Sequence, residues 1–321
     1  MRPLVGTIAL TLLACLLLAV PATTEARVIA IADQNAATFH DPLWQSLGIT
    51  HARVAVAWDI AIGVPDTRIV AWLDHAQAAR VKVLVAWTPS RSRLPSRARF
   101  RRAFRAFRKR WPHVREFATW NEPNLRGSPA AQRPERSAGY WKVMKTTCPH
   151  CRVLGPELVD FATAPGWARR FERAIGRRGI TWGLHNYRDA NRFPRLKASV
   201  TAQMLRAVKG PIWLTEAGGI VRFKNAFPFD RRRAQKATRR LFTLAKLSRR
   251  ISRVYVYHWR ASAEPVSWDS GLLSPGGNPR PAFWVVASRL RATRSAQAVL
   301  AARERTPPAS GFTPAQTFLG R

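Results

Sequence analysis

The sequence predicts a single α/β domain folded as a (β/α)8 barrel, and three observations lead to this fold class. Short apolar runs alternate with amphipathic helical patterns, and the alternation occurs eight times along the chain. Such alternation is typical of parallel strands joined by helices, and eight repeats form a closed barrel. Hydrophobic residues make up 46% of the 321 residues, enough for a full core, and no linker-like break divides the pattern.

Each predicted strand is an apolar run, and a predicted helix follows each one. The strands are expected at residues 27–33, 51–59, 81–87, 114–122, 152–157, 180–185, 212–216 and 251–259. The helices are expected at residues 41–47, 66–80, 96–110, 134–147, 167–176, 196–208, 231–249 and 281–290. In the third helix, Phe100, Phe104 and Phe107 recur at spacings of four and three, which predicts one buried stripe on a basic helix whose other faces contact solvent.

The N-terminus has the features of a targeting segment. Arg2 precedes an almost wholly apolar run at residues 5–20, and small residues follow up to Ala26. This pattern predicts a signal peptide over residues 1–26 and a secreted or cell-envelope protein. A retained membrane anchor and a lipid anchor at Cys15 are the alternatives. The domain is expected to span residues 27–293, with a surface tail at 294–321.

Two cysteines follow the predicted signal peptide, Cys148 and Cys151 in a Cys-Pro-His-Cys run. In an exported chain, a nearby pair of this kind favours a disulfide. A redox motif would need a thioredoxin-like strand before it, and a metal site would need more ligands than two thiols and His150. We therefore expect a local disulfide.

The net charge of +36 is extreme, with 54 Lys and Arg against 18 Asp and Glu. A charge of this size favours anionic partners such as acidic polysaccharides, cell-wall polymers, membrane surfaces or nucleic acid. A general bias toward arginine on solvated helix faces would produce the same composition. No interleaving of aromatic and basic residues indicates nucleic-acid binding, so no nucleic-acid partner is expected.

Two strands end in a carboxylic acid. Residues 117–124 read Phe-Ala-Thr-Trp-Asn-Glu-Pro-Asn, and the strand must stop at Glu122 because Pro123 cannot donate a ladder hydrogen bond. Residues 211–219 read Pro-Ile-Trp-Leu-Thr-Glu-Ala-Gly-Gly, an apolar strand that ends at Glu216. The ends of barrel strands form the active-site rim, and a pair of carboxylates is what glycoside hydrolysis requires.

The same rim should be rich in polar and aromatic side chains that suit a sugar. The other residues expected at strand ends are Asp33, Arg53, Trp58, Asp59, Trp87, Asn121, Glu157, His185, Tyr187 and Trp259. A nucleotide cofactor would need a glycine-rich phosphate turn, and the sequence has none in the right place. We therefore expect neither an organic cofactor nor a metal.

The Trp-Asn-Glu-Pro run at residues 120–123 and the Leu-Thr-Glu-Ala-Gly run at 214–218 resemble the retaining β-glycosidases of glycoside hydrolase clan A, in the manner of families 5 and 39. The resemblance covers residues 28–290. It implies that Glu122 is the general acid/base and that Glu216 is the nucleophile. Partial desolvation should raise the pKa of Glu122.

The resemblance also implies roles for five further residues. Asn121 matches the residue that binds the sugar 2-hydroxyl, and Tyr187 the one that hydrogen-bonds the nucleophile, with His185 beside it. Arg53 is similar to the arginine that keeps the nucleophile ionised. Trp259 is similar to the tryptophan that floors the sugar subsite.

The expected function is cleavage of β-glycosidic bonds in oligo- or polysaccharides by a secreted retaining glycosidase. The loops after strands one, three and seven look short, which predicts an open groove suited to a polymer. The alternative is a non-catalytic barrel that binds anionic glycans or cell-wall polymer through its arginines.

Overall fold

The computed structural model describes residues 27–90, 94–263 and 267–305. The predicted signal peptide at 1–26, with Cys15, lies outside the described residues, as do residues 306–321 of the predicted tail. Within the described ranges, no helix has the length and apolar character that crossing a membrane requires.

All eight predicted strands form, and the fifth is divided in two. The strands are β1 Val28–Ala32, β2 His51–Ala57, β3 Lys82–Thr88, β4 Glu116–Ala118, β5 Arg152–Leu154, β6 Glu157–Val159, β7 Trp182–His185, β8 Ile212–Ala217, β9 Arg222–Phe223, β10 Ile251–Tyr257 and β11 Trp268–Asp269. Strands β9 and β11 pair as a separate antiparallel ribbon. The other nine form one parallel sheet in the order β5-β4-β3-β2-β1-β10-β8-β7-β6.

The sheet closes into a barrel because β5 and β6 are two halves of one barrel strand. Gly155 and Pro156 interrupt this strand, and proline cannot donate a ladder hydrogen bond. Across the seam, the Glu122 amide donates to the Glu157 carbonyl at 2.9 Å, and the Glu157 amide donates to the Trp120 carbonyl at 2.9 Å. The predicted (β/α)8 fold is therefore confirmed.

Helices surround the barrel and follow most of the strands. Their bounds are α1 Pro42–Ser46, α2 Thr67–Ala78, α3 Arg97–Arg110, α4 Pro134–Thr147, α5 Ala164–Ile175, α6 Tyr187–Asn191, α7 Val200–Ala207, α8 Arg231–Ala245, α9 Pro281–Arg289 and α10 Thr293–Arg305. Several begin at a side-chain cap that satisfies a free backbone amide. Asp66 caps α2, Ser96 caps α3 and Asp230 caps α8.

Helix α3 has the predicted apolar stripe. Phe100, Phe104 and Phe107 are buried and surround the indole of Trp87, with ring centroids 5.0 to 6.1 Å apart. Most of the arginines of this helix are exposed to solvent. The sequence pattern therefore placed both faces of α3 correctly.

The core has two layers. Most buried side chains lie between the sheet and the helices, while a small inner cluster fills the barrel itself. The inner cluster consists of Ala30, Ala32, Leu84, Ala86, Ala118, Leu154, Trp213 and Tyr255. Alanine at four of these positions leaves room at the barrel centre for larger polar side chains near the mouth.

Two segments differ from the predictions. The predicted tail begins at 294, but residues 293–305 form α10, which buries Ala296 and binds Asp41 through Arg303 at 2.9 Å. The loop after the seventh barrel strand, β8, is not short, because it contains β9 of the two-stranded ribbon. In α10, Ala296, Val299 and Leu300 recur at helical spacing and pack against the core, a pattern that the prediction of a tail missed, whereas the two-residue strand β9 is too short to show a period.

The predicted disulfide is present. Cys148 and Cys151 are bonded, with their Cα atoms 5.3 Å apart. The bond lies between the end of α4 and the start of β5 on the outside of the barrel, away from the mouth. It is therefore structural.

Candidate active site

Six of the seven predicted site residues meet at the mouth of the barrel. Glu122, Tyr187 and Glu216 line a cavity of about 1560 Å³ there. Arg53 and His185 lie beneath them and bind Glu216 and Glu122 through side-chain hydrogen bonds, and Asn121 accepts a hydrogen bond from Arg53. Parallel strands place these side chains together because their C-terminal ends share one rim.

The two predicted catalytic carboxylates face each other closely. One carboxylate oxygen of Glu122, one ring nitrogen of His185 and one carboxylate oxygen of Glu216 all lie within 4.8 Å of one another. Retaining glycosidases hold their carboxyl groups about 5 to 5.5 Å apart, whereas inverting enzymes need roughly 6.5 to 9.5 Å for a water molecule. The spacing falls on the retaining side.

Arg53 is the centre of the polar network. Its side chain is 1% exposed. Nη1 donates to Glu216 Oε2 at 2.7 Å, and Nη2 donates to Asn121 Oδ1 at 2.6 Å. Nε and Nη2 form a two-point contact with Glu157, at 2.8 and 2.5 Å. Such a planar fork fixes three acceptors at once, which a lysine could not do.

Glu157 is fully buried beneath the mouth. Burial alone would raise the pKa of Glu157, but the charge and hydrogen bonds of Arg53, with those of His185, lower it to about 2. Gly183 on β7 makes room for this side chain, because a Cβ atom there would lie 2.6 Å from Glu157 Cγ. Glu157 is therefore ionised and neutralises part of the positive charge beneath the mouth.

His185 is fully buried between two carboxylates. Nδ1 lies 2.8 Å from Glu122 Oε1, and Nε2 lies 3.5 Å from Glu157 Oε2. Burial lowers the pKa of His185, but the charge of Glu216 and the hydrogen bonds to Glu122 and Glu157 outweigh it and raise the pKa to about 10. A protonated imidazole donates through both ring nitrogens, so His185 is a donor to Glu122.

The structure corrects the predicted pKa of Glu122. Its burial does raise the pKa, as expected, but the hydrogen bond and charge of His185 and the charge of Arg53 are larger together and lower the pKa. The prediction of a raised value is wrong, because it considered desolvation and not the cation from β7.

The backbone at Glu122 is unusual for a residue with a side chain. Its φ of 45° lies in the left-handed region, and Pro123 follows it. A backbone of this kind costs about 1 to 3 kcal/mol and persists only where the surroundings hold it, which is common at functional sites. Here the hydrogen bond to the Glu157 carbonyl holds the turn that directs Glu122 into the cavity.

Tyr187, at the start of α6, contacts the second carboxylate. Its hydroxyl donates to Glu216 Oε1 at 3.2 Å, and Trp268 packs against its ring edge with centroids 4.8 Å apart. Burial and the nearby charge of Glu216 raise the pKa of Tyr187 well above its usual value. The phenol is therefore a permanent donor, and together with Arg53 it fixes both oxygens of Glu216.

Trp259 does not lie at the site. The indole is 1% exposed, packs against Trp44 and Phe283, and donates to Asp41 Oδ2 at 3.1 Å. No face of the ring is open to a sugar, so the prediction of a sugar platform at Trp259 is wrong. Strand β10 ends at Tyr257, two residues earlier than predicted, and Tyr257 is the aromatic residue that lines the cavity.

Three other residues shape the site, and none of them was predicted to take part in catalysis or binding. Glu157 was expected at the rim but belongs to the buried network, and a carboxylate after Gly-Pro was its signal. Tyr257 was missed because the predicted strand ended at residue 259, two residues too late. Trp268 belongs to the two-residue strand β11, which is too short to show a periodic pattern.

A second groove of about 970 Å³ adjoins the cavity on its other side, and Tyr257 lines both. Trp58 and Thr88, from the ends of the second and third strands, form part of its wall. Two acidic and two basic side chains also line it: Asp59, Asp66, Arg68 and Arg99. The mouth is therefore a long cleft, and both carboxylates lie in the larger of its two parts.

Residues 81–285, more than half of the chain, match the family described as glycosyl hydrolase catalytic core. The chain belongs to this family. No curated protein matches the sequence.

Several solved glycoside hydrolases share the fold of this family member. Xylanase 10B from Thermotoga petrophila, solved with xylobiose, aligns with a TM-score of 0.60 at 12% identity, over 83% of this chain and 94% of its own. An endo-β-1,3-glucanase from Sorangium cellulosum aligns with a TM-score of 0.55 at 13% identity, over 81% of this chain and 98% of its own. A β-glucuronidase from an uncultured Clostridium species aligns with a TM-score of 0.57 at 10% identity, over 83% of this chain. The present chain spans only 50% of that longer protein. The predicted resemblance to clan A glycoside hydrolases is confirmed in family and fold.

Proposed function

We propose that this glycosidase cleaves β-linked oligo- or polysaccharides with retention of configuration, using Glu216 as nucleophile and Glu122 as general acid/base. One observation carries the proposal: the two carboxylates approach within 4.8 Å at one mouth of the barrel. At that separation, one carboxylate reaches the anomeric carbon and the other reaches the glycosidic oxygen of the same sugar.

In the first step, Glu216 attacks the anomeric carbon while Glu122 gives its proton to the departing oxygen. The glycosidic bond breaks, and an ester forms between the sugar and Glu216. Arg53 and Tyr187 hold the two oxygens of Glu216 before attack, so little reorientation is needed. The Asn121 carbonyl oxygen accepts a hydrogen bond from Arg53, which leaves the Asn121 amide nitrogen as a donor for a sugar hydroxyl.

In the second step, Glu122 takes a proton from water, and the water oxygen attacks the anomeric carbon. The ester bond breaks, Glu216 leaves as a carboxylate, and Glu122 is protonated again. The charges of the network favour both halves of this cycle. Arg53 and His185 provide two positive charges, Glu157 neutralises one, and the other is matched by one negative charge that alternates between Glu216 and Glu122.

The size of the site supports a polymeric substrate. The cavity of about 1560 Å³ exceeds the roughly 300 to 1,000 Å³ typical of sites for small molecules, and the second groove extends it past Tyr257. We also propose that the chain is exported, as the disulfide between Cys148 and Cys151 supports.

A panel of nitrophenyl β-glycosides and β-linked polysaccharides tests the activity. We expect release of nitrophenol or of reducing ends, and NMR of the first product should show the β-anomer before mutarotation. Binding of a glycan without turnover would instead support a non-catalytic barrel. An α-anomer as the first product would contradict the double displacement.

Replacement of His185 by glutamine should change the pH dependence of this activity. Glu122 must be protonated to act as an acid, so kcat/KM should fall as pH rises through its pKa, which His185 lowers. The His185→Gln variant removes that positive charge, and its alkaline limb should move about one pH unit or more to higher pH. A pH profile of kcat/KM measures the shift. His75→Gln is the control and should leave the limb in place, because His75 contacts His40 and neither lines the cavity nor bonds to its carboxylates.

A further inference from the structure

A groove continues from the active-site cavity down the outside of the barrel. The cavity shares Ala162 and Gln203 with a depression of about 640 Å³, and this depression shares Arg169 and Ala207 with another of about 470 Å³. Both follow α5, which begins just after β6 at the mouth and ends before β7 at the opposite end of the barrel. With 12 residues, α5 is about 18 Å long, so the groove is a track of that length. We call it the α5 groove.

Seven of the sixteen residues that line the α5 groove carry a positive charge. Its only carboxylate is Glu172, which is buried and accepts a hydrogen bond from the Trp182 indole at 3.3 Å. None of the cations forms a salt bridge with a carboxylate in the part of the chain that the structure describes, and all are exposed. The seven cations are Arg169, Arg170, Arg173, Arg177, Arg178, Arg206 and Lys209.

The positive charge extends into the cavity on the same side. Arg188 and Arg192 line the cavity wall, and the Arg192 guanidinium packs over the ring of Phe227 at 4.4 Å. That contact orients the guanidinium without using its N–H groups. The groove on the other side of Tyr257 differs, because its two acidic side chains balance its two arginines. Two buried carboxylates, Asp160 and Asp189, also line the cavity beside these arginines. The excess of exposed cations therefore lies in the α5 groove, and the groove past Tyr257 has no such excess.

We propose that the substrate is a polyanionic glycan, a β-linked chain carrying carboxylate or sulfate groups, which lies across the mouth and continues along the α5 groove. This inference rests on the proposed glycosidase function and adds its substrate class. Guanidinium groups bind carboxylate and sulfate groups through two parallel hydrogen bonds. They bind the neutral hydroxyl groups of a sugar more weakly. Each anionic group that binds to a cation of the groove also releases counterions from the polymer, which strengthens binding of the polymer.

Binding to two polymers with one backbone tests the proposal. Carboxymethylcellulose and hydroxyethylcellulose share a β-linked glucan chain, and only the first is charged. The triple variant Arg169→Gln, Arg170→Gln, Arg206→Gln removes three charges from the α5 groove. The triple variant Arg101→Gln, Arg102→Gln, Arg105→Gln removes three exposed charges from α3 and is the matched control. Dissociation constants are measured by affinity electrophoresis at several salt concentrations from about 0.05 to 0.3 M.

We expect the groove variant to bind carboxymethylcellulose at least about tenfold more weakly than the unchanged protein, with a smaller salt dependence. The α3 variant should differ by less than about threefold, and neither should affect binding of hydroxyethylcellulose. Equal losses in the two variants would overturn the proposal. So would a groove-dependent loss seen only with duplex DNA, which would assign the groove to nucleic acid.

Turnover of nitrophenyl β-glycosides separates this inference from the function on which it rests. These small substrates reach the two carboxylates without entering the α5 groove, so both triple variants should hydrolyse them at the unchanged rate. If small glycosides are cleaved and the groove variant binds carboxymethylcellulose normally, the substrate class is wrong and the glycosidase function stands. If small glycosides are not cleaved by any variant, the function itself fails.

Discussion

Replacement of Glu216 by alanine should reduce hydrolysis of activated aryl β-glycosides by a factor on the order of 10⁵ or more, as expected when a covalent nucleophile is lost. The alanine leaves a gap beside the anomeric carbon, where a small anion has room. Azide should therefore restore turnover and attack from the side on which Glu216 lay. The product should be an α-glycosyl azide, identified by the coupling constant of its anomeric proton in NMR.

The Glu122→Ala variant separates the two carboxylate roles. With a good leaving group, the first step needs little acid help, so an intermediate should accumulate and azide should give the β-glycosyl azide. Asp59→Ala, which removes another carboxylate lining the cleft, is the control and should change kcat by less than about tenfold. The assignment would be wrong if the two glutamate variants gave azides of the same configuration, or if Glu216→Ala retained its activity.

The convergence of the site could be predicted because it depends on strand ends alone. Glu122 and Glu216 each follow an apolar run and precede a proline or a glycine pair, and parallel strands of a barrel end at one rim. Arg53 is different, because it is the third of the seven residues of β2 and its role was predicted from the family resemblance. The inference for the two glutamates needs only the fold, and no knowledge of side-chain contacts.

Two errors show where this reasoning stops. Trp259 follows an apolar strand whose last hydrogen-bonded residue is Tyr257, and a shift of two residues moved the predicted aromatic contact from the cavity to the core. The pKa of Glu122 depends on His185, which lies 63 residues away in sequence. Burial of Glu122 could be inferred from its strand end, but the balance between burial and a cation on another strand requires their distance.

Replacement of Arg53 by methionine should lower the free energy of unfolding by about 3 to 5 kcal/mol, the usual effect of removing one partner from a buried ion pair. Arg53 and Glu157 are 1% and 0% exposed, so water cannot replace the lost partner. Arg53→Lys keeps the charge but not the fork, and should recover only part of the loss. Denaturant unfolding of each variant measures these differences.

The pH dependence of this loss distinguishes the ion pair from simple packing. In the unchanged protein, the folded pKa of Glu157 is lowered to about 2 from its ordinary 4.5, so its stabilisation is present above pH 4.5 and is lost as pH falls toward 2. Without Arg53, burial opposes ionisation of Glu157, and its neutral form becomes acceptable in acid. The destabilisation by Arg53→Met should therefore be largest near neutral pH and shrink toward about pH 3.

The same measurement of Arg53→Met is repeated in the Glu157→Gln variant, which lacks the buried negative charge. The glutamine keeps the volume of the side chain and removes the buried negative charge, so Arg53→Met should cost less there, and its remaining cost should depend less on pH. A loss of equal size at every pH, in both backgrounds, would mean that Arg53 stabilises the barrel through its packing alone. The network would then have no electrostatic part in holding Glu216 and Asn121 at the mouth.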